Sequence, residues 1–521
     1  NPMSLLYAGA IRPDNHHTVL PTAGQPEEFY WVIVYGRLNV CLAQRRRLTI
    51  AALSQFTDRN PPVFTIGACK PLRIPRHQPA TTSRTQRHWG RILTRPISII
   101  IKRRLPVARI VPSVLSLDDI RLSGKRLLYR VDINSPLHPE TGAFLDDGRL
   151  RAILPTLADL SDSKVVILGH QSRPGRDDFT NLSGHAERLG RILGRLIRFV
   201  PDVCGDKAIE AIRSLNNGEI LCLDNVRMHS EEISLKKAEL DELRLSQIVS
   251  NLAPEFDAYV TDAFAAAHRN SATLTGFADD LPCIAGRLMQ REISALQTAV
   301  TNPPRPYVAI LGGAKADDSF RVAQNLINRG VVDTVAFVGV VGNMVLWVQG
   351  VDIGDGNKEF IRGTLADDFE IAWEMAQSLV ENHSDLLLVP SDVAVEIDEE
   401  RVAKRVDELP VPHPIYDIGV ETLMRLRPVL MNAECVLWNG PASYFEKPAF
   451  AFGTIEILNM CTETKAMTIV GGGHTSALVN SRGVADKVSH NSTGGGACLQ
   501  MLCGDKMPVI DALKHSAKKF S

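Results

Sequence analysis

Arginine and histidine recur after short apolar runs in the middle of this sequence: Arg130-Val131-Asp132-Ile133-Asn134, Arg149, His170-Gln171-Ser172-Arg173-Pro174, Asn225-Val226-Arg227 and Ala267-His268-Arg269. Arginine presents a planar fork of donors to phosphate and carboxylate, so such a set converging on one sheet edge makes a seat for a small, multiply anionic ligand. One arginine read alone is more often a solvated surface charge. Recurrence after four separate strands reverses that reading. Further along, glycine takes the same position: Gly312-Gly313-Ala314-Lys315, Asn439-Gly440-Pro441, Gly471-Gly472-Gly473-His474-Thr475 and Ser492-Thr493-Gly494-Gly495-Gly496. Glycine lets the backbone approach phosphate oxygens, and a helix start beside it adds free N–H groups. One such turn is usually only a turn, but four on one sheet point to a nucleotide. No P-loop pattern and no protein-kinase signature occurs. An anion seat facing a nucleotide seat implies phosphoryl transfer across a cleft, which needs positioning, charge stabilisation and a hinge that excludes water. No general base stands out among these residues. A carboxylate acceptor, already ionised at neutral pH, needs none.

Ligands of open parallel sheets bind beyond the carboxyl ends of the strands, so these residues call for parallel strands behind them. From about Ser116, apolar runs alternate with amphipathic stretches in the α/β manner. The runs at 125–133, 164–168, 219–223 and 257–261 read as buried strands, with helices over 182–196 and 207–215 between them. A second series follows at 307–311, 334–338, 386–389, 434–437 and 467–470. A helix over 292–301, ended by Pro303 and Pro304, connects the two series. The expected architecture is α/β: two doubly wound parallel-sheet lobes joined by a hinge helix.

The 521 residues carry a net charge of -1, with 45% hydrophobic and 22% charged residues, which excludes collagenous and disulfide-miniprotein classes. That charge is a sum over unlike parts. Residues 1–115 hold 17 Lys+Arg against 4 Asp+Glu and 12 of the 30 prolines, which makes them +13 and the remainder -14. The first part reads as a basic, proline-rich and poorly ordered extension. Its candidate roles are a nucleic-acid arm or a targeting segment; an upstream extension of the reading frame, with Asn1 in first place, is the alternative. Nine scattered cysteines without a C-x-x-C suggest buried thiols in a reducing cytoplasm. The longest apolar stretch, 334–348, is too short and glycine-broken for a membrane span.

In order and wording, these blocks closely resemble phosphoglycerate kinase over about residues 116–521, and Asp-Ile-Asn-Ser-Pro and Gly-Gly-Gly-His-Thr look archaeal. The resemblance implies reversible phosphoryl transfer between 1,3-bisphosphoglycerate and ADP, giving 3-phosphoglycerate and ATP, with Mg2+ accompanying the nucleotide. It implies a phosphoglycerate-binding lobe over 116–290, a hinge over 291–306, a nucleotide-binding lobe over 307–490 and a C-terminal segment, 491–521, returning towards the first lobe. Carried over by position, Asp132, Ile133, Asn134, Arg149, His170, Gln171, Ser172, Arg173, Arg227 and Arg269 would bind phosphoglycerate. Gly312, Gly313, Lys315, Asn439, Pro441, Glu446, Gly472, Gly473, His474 and Thr475 would bind nucleotide. Arg149, Lys315, Gly494 and Gly495 would be catalytic. A cytoplasmic monomer without membrane or, outside 1–115, nucleic-acid partners is expected. Four departures stand out: His474 for an aspartate near the metal, whose protein ligand is thereby left open; Ser319 for a second lysine; Ser172 for a glycine; and Ala442-Ser443-Tyr444 before Phe445-Glu446. A weakly active homologue acting through its basic arm, and a kinase of another small carboxylate, are the competing readings.

Overall fold

The computed structural model describes residues 114–138 and 140–520, together with the backbone of four strands nearer the N-terminus. Those four, β1 His17–Pro21, β2 Phe29–Tyr35, β3 Asn39–Gln44 and β4 Arg47–Ala52, form an antiparallel sheet in chain order within a compact unit, Asn1–Arg103. The expectations of poor order and of a nucleic-acid role for 1–115 otherwise fall outside the described residues.

The second unit, Arg104–Ser521, holds two parallel sheets. The first contains β5 Leu115–Ser116, β6 Arg126–Arg130, β7 Lys164–Leu168, β8 Arg198–Phe199, β9 Ile220–Cys222, β10 Ala258–Thr261 and β11 Cys283–Ala285, in the order β5-β11-β10-β6-β7-β9-β8. The second contains β12 Tyr307–Leu311, β13 Thr334–Phe337, β14 Leu387–Leu388, β18 Cys435–Asn439, β19 Met467–Gly471 and β20 His490–Asn491, in the order β14-β13-β12-β18-β19-β20. Helices cover both faces of a parallel sheet, so its strands read as unbroken apolar runs. That is why β7 and β12 fall at the predicted bounds. Between β14 and β18 lies an antiparallel sheet of β15 Asp392–Ile397, β16 Glu400–Arg405 and β17 Ile415–Ile418, ordered β16-β15-β17, which the sequence reading did not foresee. Its Asp392 accepts the Glu421 and Thr422 N–H groups, and its Asp417 accepts that of Gly453. Each carboxylate satisfies free N–H groups in the first turn of a second-lobe helix.

The connecting helix is Arg287–Thr301, starting five residues before the predicted Glu292. Its start is set from a distance in sequence. Buried Asp262, at the end of β10, accepts the Met289 N–H at 2.9 Å and the hydroxyls of Tyr129 at 2.6 Å and Thr156 at 2.5 Å. One apolar cluster runs from Leu128 and Val166 through Met289, Ile293 and Leu296 to Leu311 and Phe320. The two sheets therefore share a core through the connecting helix. The last helix, Pro508–Phe520, packs against β11 in the first lobe, with Ser516 Oγ accepting the Cys283 N–H at 2.8 Å and donating to Leu281 O at 3.1 Å.

Candidate active site

Beyond the carboxyl ends of β6, β7 and β10 lies a cavity of about 1070 Å³. Seven Lys and Arg side chains line it against two carboxylates, Asp178 and Glu232. Arg130, at the tip of β6, is 1% exposed. Its Nε donates to Thr273 Oγ1 at 3.1 Å, and Thr273 donates in turn to buried Glu232 at 2.7 Å, which leaves the countercharge one hydroxyl away. Arg130 Nη2 lies 3.3 Å from His170 Nδ1. Guanidinium can only donate, so Nδ1 is the acceptor and Nε2 of the neutral ring carries the proton. Burial first, and then the charges of Arg130, Arg227 and Arg269, hold His170 well below the ordinary imidazole value, although Asp132 pulls the other way. Burial, then Arg269 and Arg130, likewise lower Arg227. Burial and Arg269 lower His268. Every one of these shifts disfavours positive charge on the seat's own groups, and an anion among them acts in the opposite direction.

Arg149, near the start of a short helix over Gly148–Ala152, is half-buried and pairs with Asp132 at 2.6 Å. Burial alone would raise the Asp132 carboxyl. Arg149, His170, the Asn134 N–H and Arg130 outweigh it, and the pKa falls to about 2. Arg149 is thus held by a permanently ionised partner.

Four expected phosphoglycerate contacts are absent from the cavity wall: Asp132 and Arg149, which pair with each other, and Ile133 and Gln171. Ile133 is 1% exposed within the apolar core. Gln171 is fully buried, exchanging hydrogen bonds with the Ser135 backbone and meeting His185 Nε2 at 3.0 Å. Both side chains support the seat from behind, as alternation along an extended segment requires. Arg130, His268, Lys236 and Lys237, outside the expected set, do line it. Arg130 and His268 lay in the strand-end motifs already singled out, whereas the lysines had no such signal.

The second lobe builds its site from backbone. Gly312 and Gly440 close on each other: a Cβ on Gly440, whose φ is +88°, would sit 2.2 Å from the Gly312 carbonyl oxygen. Gly312 N–H donates to Asn439 O and Gly313 N–H to Pro441 O, which locks the ends of β12 and β18 together. Asn439 Oδ1, buried beside Gly471 and Gly472, has no hydrogen-bond partner. It is an acceptor awaiting a donor. Lys315 is exposed at the N-cap of the helix Ala316–Asn328 and makes no ion pair among the described residues. Gly473 and His474 are exposed in the first turn of the helix Gly473–Ser481, whose Thr475 hydroxyl bonds back to Gly471 O. Glu446 is exposed on the loop after Pro441. Ser319 is 1% exposed and donates to Gly312 O at 3.3 Å, so no charge stands at that position and the hydroxyl tightens the turn.

The two halves meet at 490–496, where sequence reasoning missed a residue. Glu292, wholly buried on the connecting helix, accepts from His490 Nε2 at 2.7 Å, Ser492 Oγ at 2.8 Å, and the N–H and hydroxyl of Thr493 at 2.7 and 2.8 Å. Burial would raise its carboxyl, but His490 and Thr493 overcome this and lower it. A carboxylate inside a helix with apolar neighbours carries no local sign of partners some 200 residues away. Next in the chain, Gly494 lies against Phe264 of the first lobe, where a Cβ would be 2.4 Å from the ring. Gly495 and Gly496 then open the helix Gly496–Cys503. The cavity wall takes no residue from 307–496, so Lys315, Gly494 and Gly495 do not share it with the arginines. Among the described residues, no three His, Cys, Asp or Glu side chains gather as a metal cage. Among them, too, no helix is long and apolar enough to cross a membrane.

Comparison with known proteins shows the family of the chain. The family model described as phosphoglycerate kinase matches residues 117–505. A phosphoglycerate kinase of Methanothermobacter thermautotrophicus is 42% identical over 403 residues, covering 77% of this chain and 97% of the relative. One from Methanocorpusculum labreanum is 40% identical, covering 78% and 98%. The crystal structure of phosphoglycerate kinase from Pyrococcus horikoshii OT3 superposes with a TM-score of 0.71 at 35% identity, covering 78% of this chain and all of that one. The matched part leaves the basic extension out.

Proposed function

The chain belongs to the phosphoglycerate kinase family and transfers a phosphoryl group reversibly between 1,3-bisphosphoglycerate and ADP; from that premise we propose how its residues divide the work. The phosphate of 3-phosphoglycerate sits among Arg130, His170, Arg227 and Arg269, with Arg173 at the rim and Asn134 oriented by its bond to Ser172. This orients the carboxylate towards Arg149. The nucleotide lies on the glycine turns of the second lobe, its phosphates near Lys315 and the 472–475 turn and its ribose towards Glu446. Mg2+ enters with the nucleotide as part of the substrate. An ion that retains water and binds phosphate oxygens needs no protein cage.

In the forward transfer, an ADP β-phosphate oxygen attacks the acyl phosphate, the bond from phosphorus to the carboxyl oxygen breaks, and 3-phosphoglycerate leaves as a carboxylate. No proton needs to move. Arg149 leaves Asp132 to meet the phosphoryl oxygens in flight, and the Gly494–Gly496 N–H groups face them from the helix start. Closing the lobes brings these groups together, with Glu292 keeping 490–493 in register during the movement. A single chain supplies all these groups, so a monomer suffices for the transfer, and the free cysteines among the described residues fit a reducing cytoplasm.

The observation that carries this reading is the cavity wall with seven Lys and Arg side chains against two carboxylates, with Arg149 held by its ion pair to Asp132, two residues before the wall residue Asn134. The test is a coupled assay of Arg149→Ala. Loss of kcat by about a thousandfold, about 4 kcal/mol, is expected, with 3-phosphoglycerate still bound. Near-normal turnover would remove Arg149 from the transfer step.

A further inference from the structure

Ser172 holds a φ of +53°, a region in which a side chain is strained. The residue is anchored on three sides. Its N–H donates to Asn134 Oδ1 at 2.8 Å, its carbonyl accepts Arg227 Nη1, and its hydroxyl donates to the Asp178 carboxylate. Gln171 Nε2 reaches the other Asp178 oxygen at 3.5 Å. One backbone conformation therefore sets the direction of Asn134 and Arg227 together, and Arg173 follows next in the chain.

Asp178 is also one of the two carboxylates on a wall with seven cations. By charge alone it weakens an anionic ligand, since like charges repel across the seat. Its position is explained by the hydroxyl it holds. We propose that Asp178 is a positioning residue for the acceptor substrate: through Ser172 it fixes the left-handed turn and thereby aims Asn134 and Arg227 at the phosphoglycerate. This rests on the cavity being the phosphoglycerate seat. A glycine at 172 would adopt the turn without a tether; serine makes the tether necessary.

The charge role and the tether role of Asp178 predict opposite signs. Steady-state kinetics on the full chain, with 3-phosphoglycerate and MgATP, separates them. In Asp178→Ala, KM for 3-phosphoglycerate is expected to rise about tenfold while kcat and KM for ATP change by less than about twofold. Asp178→Asn keeps an acceptor oxygen and drops the charge, so it recovers most of that loss. In a Ser172→Gly background, adding Asp178→Ala raises KM by no more than about twofold, the non-additivity expected of coupled neighbours. A KM that falls or stays level in Asp178→Ala overturns the proposal, as does an equal rise in both backgrounds. Arg227→Ala distinguishes the two ways of failing. If it raises KM while Asp178→Ala does not, only the tether is lost; if it leaves KM unchanged, the seat itself is wrong and the tether falls with it.

Discussion

On the proposed reading, the first lobe recognises its ligand with side chains and the second with backbone. In the first, charged groups that follow four strands surround a cavity and repel one another, a repulsion that an anion relieves. In the second, the ends of β12 and β18 touch through Gly312 and Gly440, and the buried Asn439 Oδ1 beside them has no hydrogen-bond partner. The first seat is therefore under electrostatic strain and sterically open. The second is electrostatically mild and leaves no room for a Cβ at Gly312 or Gly440. Mutations should separate the two in kind as well as degree.

The largest effect belongs to the crowded side. Gly440→Val forces a side chain onto the Gly312 carbonyl at an unfavourable φ, so stability should drop by about 3 kcal/mol or more and nucleotide binding should be lost. Denaturant titration and calorimetry with ATP read both, and an unaltered nucleotide affinity would show that the close contact is incidental. Arg227→Ala comes next and should behave in the opposite manner. Affinity for 3-phosphoglycerate falls about thirtyfold, about 2 kcal/mol, while thermal stability holds or rises because a repelled charge has gone. A fall in both would mean that the cations are braced by unseen partners.

Ionic strength sharpens the contrast with a smaller effect. Raising salt from about 0.01 M to about 0.15 M shortens the Debye length from about 30 to about 8 Å, so phosphoglycerate affinity should weaken several-fold and by more than that for nucleotide. The smallest effect concerns pH. His170 is neutral when folded, with a pKa below that of the unfolded chain. Its contribution to stability is therefore present above about pH 6.5 and declines as acid protonates the unfolded state. Followed by NMR, the free enzyme should show no His170 titration near pH 6.5, and adding 3-phosphoglycerate should move the titration upwards.

The same contrast decided what the sequence disclosed. Arg130, His170, Arg227 and Arg269 are legible because charge after an apolar run is a local pattern, and the strands at 164–168 and 307–311 because a doubly covered strand is uniformly apolar. The glycine turns could be seen, but their mutual contact could not, since Gly312 and Gly440 stand more than a hundred residues apart. The Glu292 clamp on 490–493 and the Asp262 cap on the connecting helix escaped for the same reason. The antiparallel sheet at 392–418 escaped differently. Its β16, Glu-Arg-Val-Ala-Lys-Arg, is a charge-rich edge strand whose sequence resembles a solvated loop, although Arg401 turns in to buried Asp417. Ser172 fell between these cases: its departure from glycine was visible, whereas the carboxylate that compensates for it was not.

The packing of Pro508–Phe520 on β11 also orders events in time. A ribosome delivers β5 to β11 early, yet the helix that packs on β11 emerges only after the whole second lobe has been made. The first lobe must wait, with Cys283 and Leu281 uncovered, for residues made after the second lobe. Trimming that helix should therefore harm the lobe to which it is most distant in sequence, and any chaperone that shields nascent chains should engage the first lobe longer than the second.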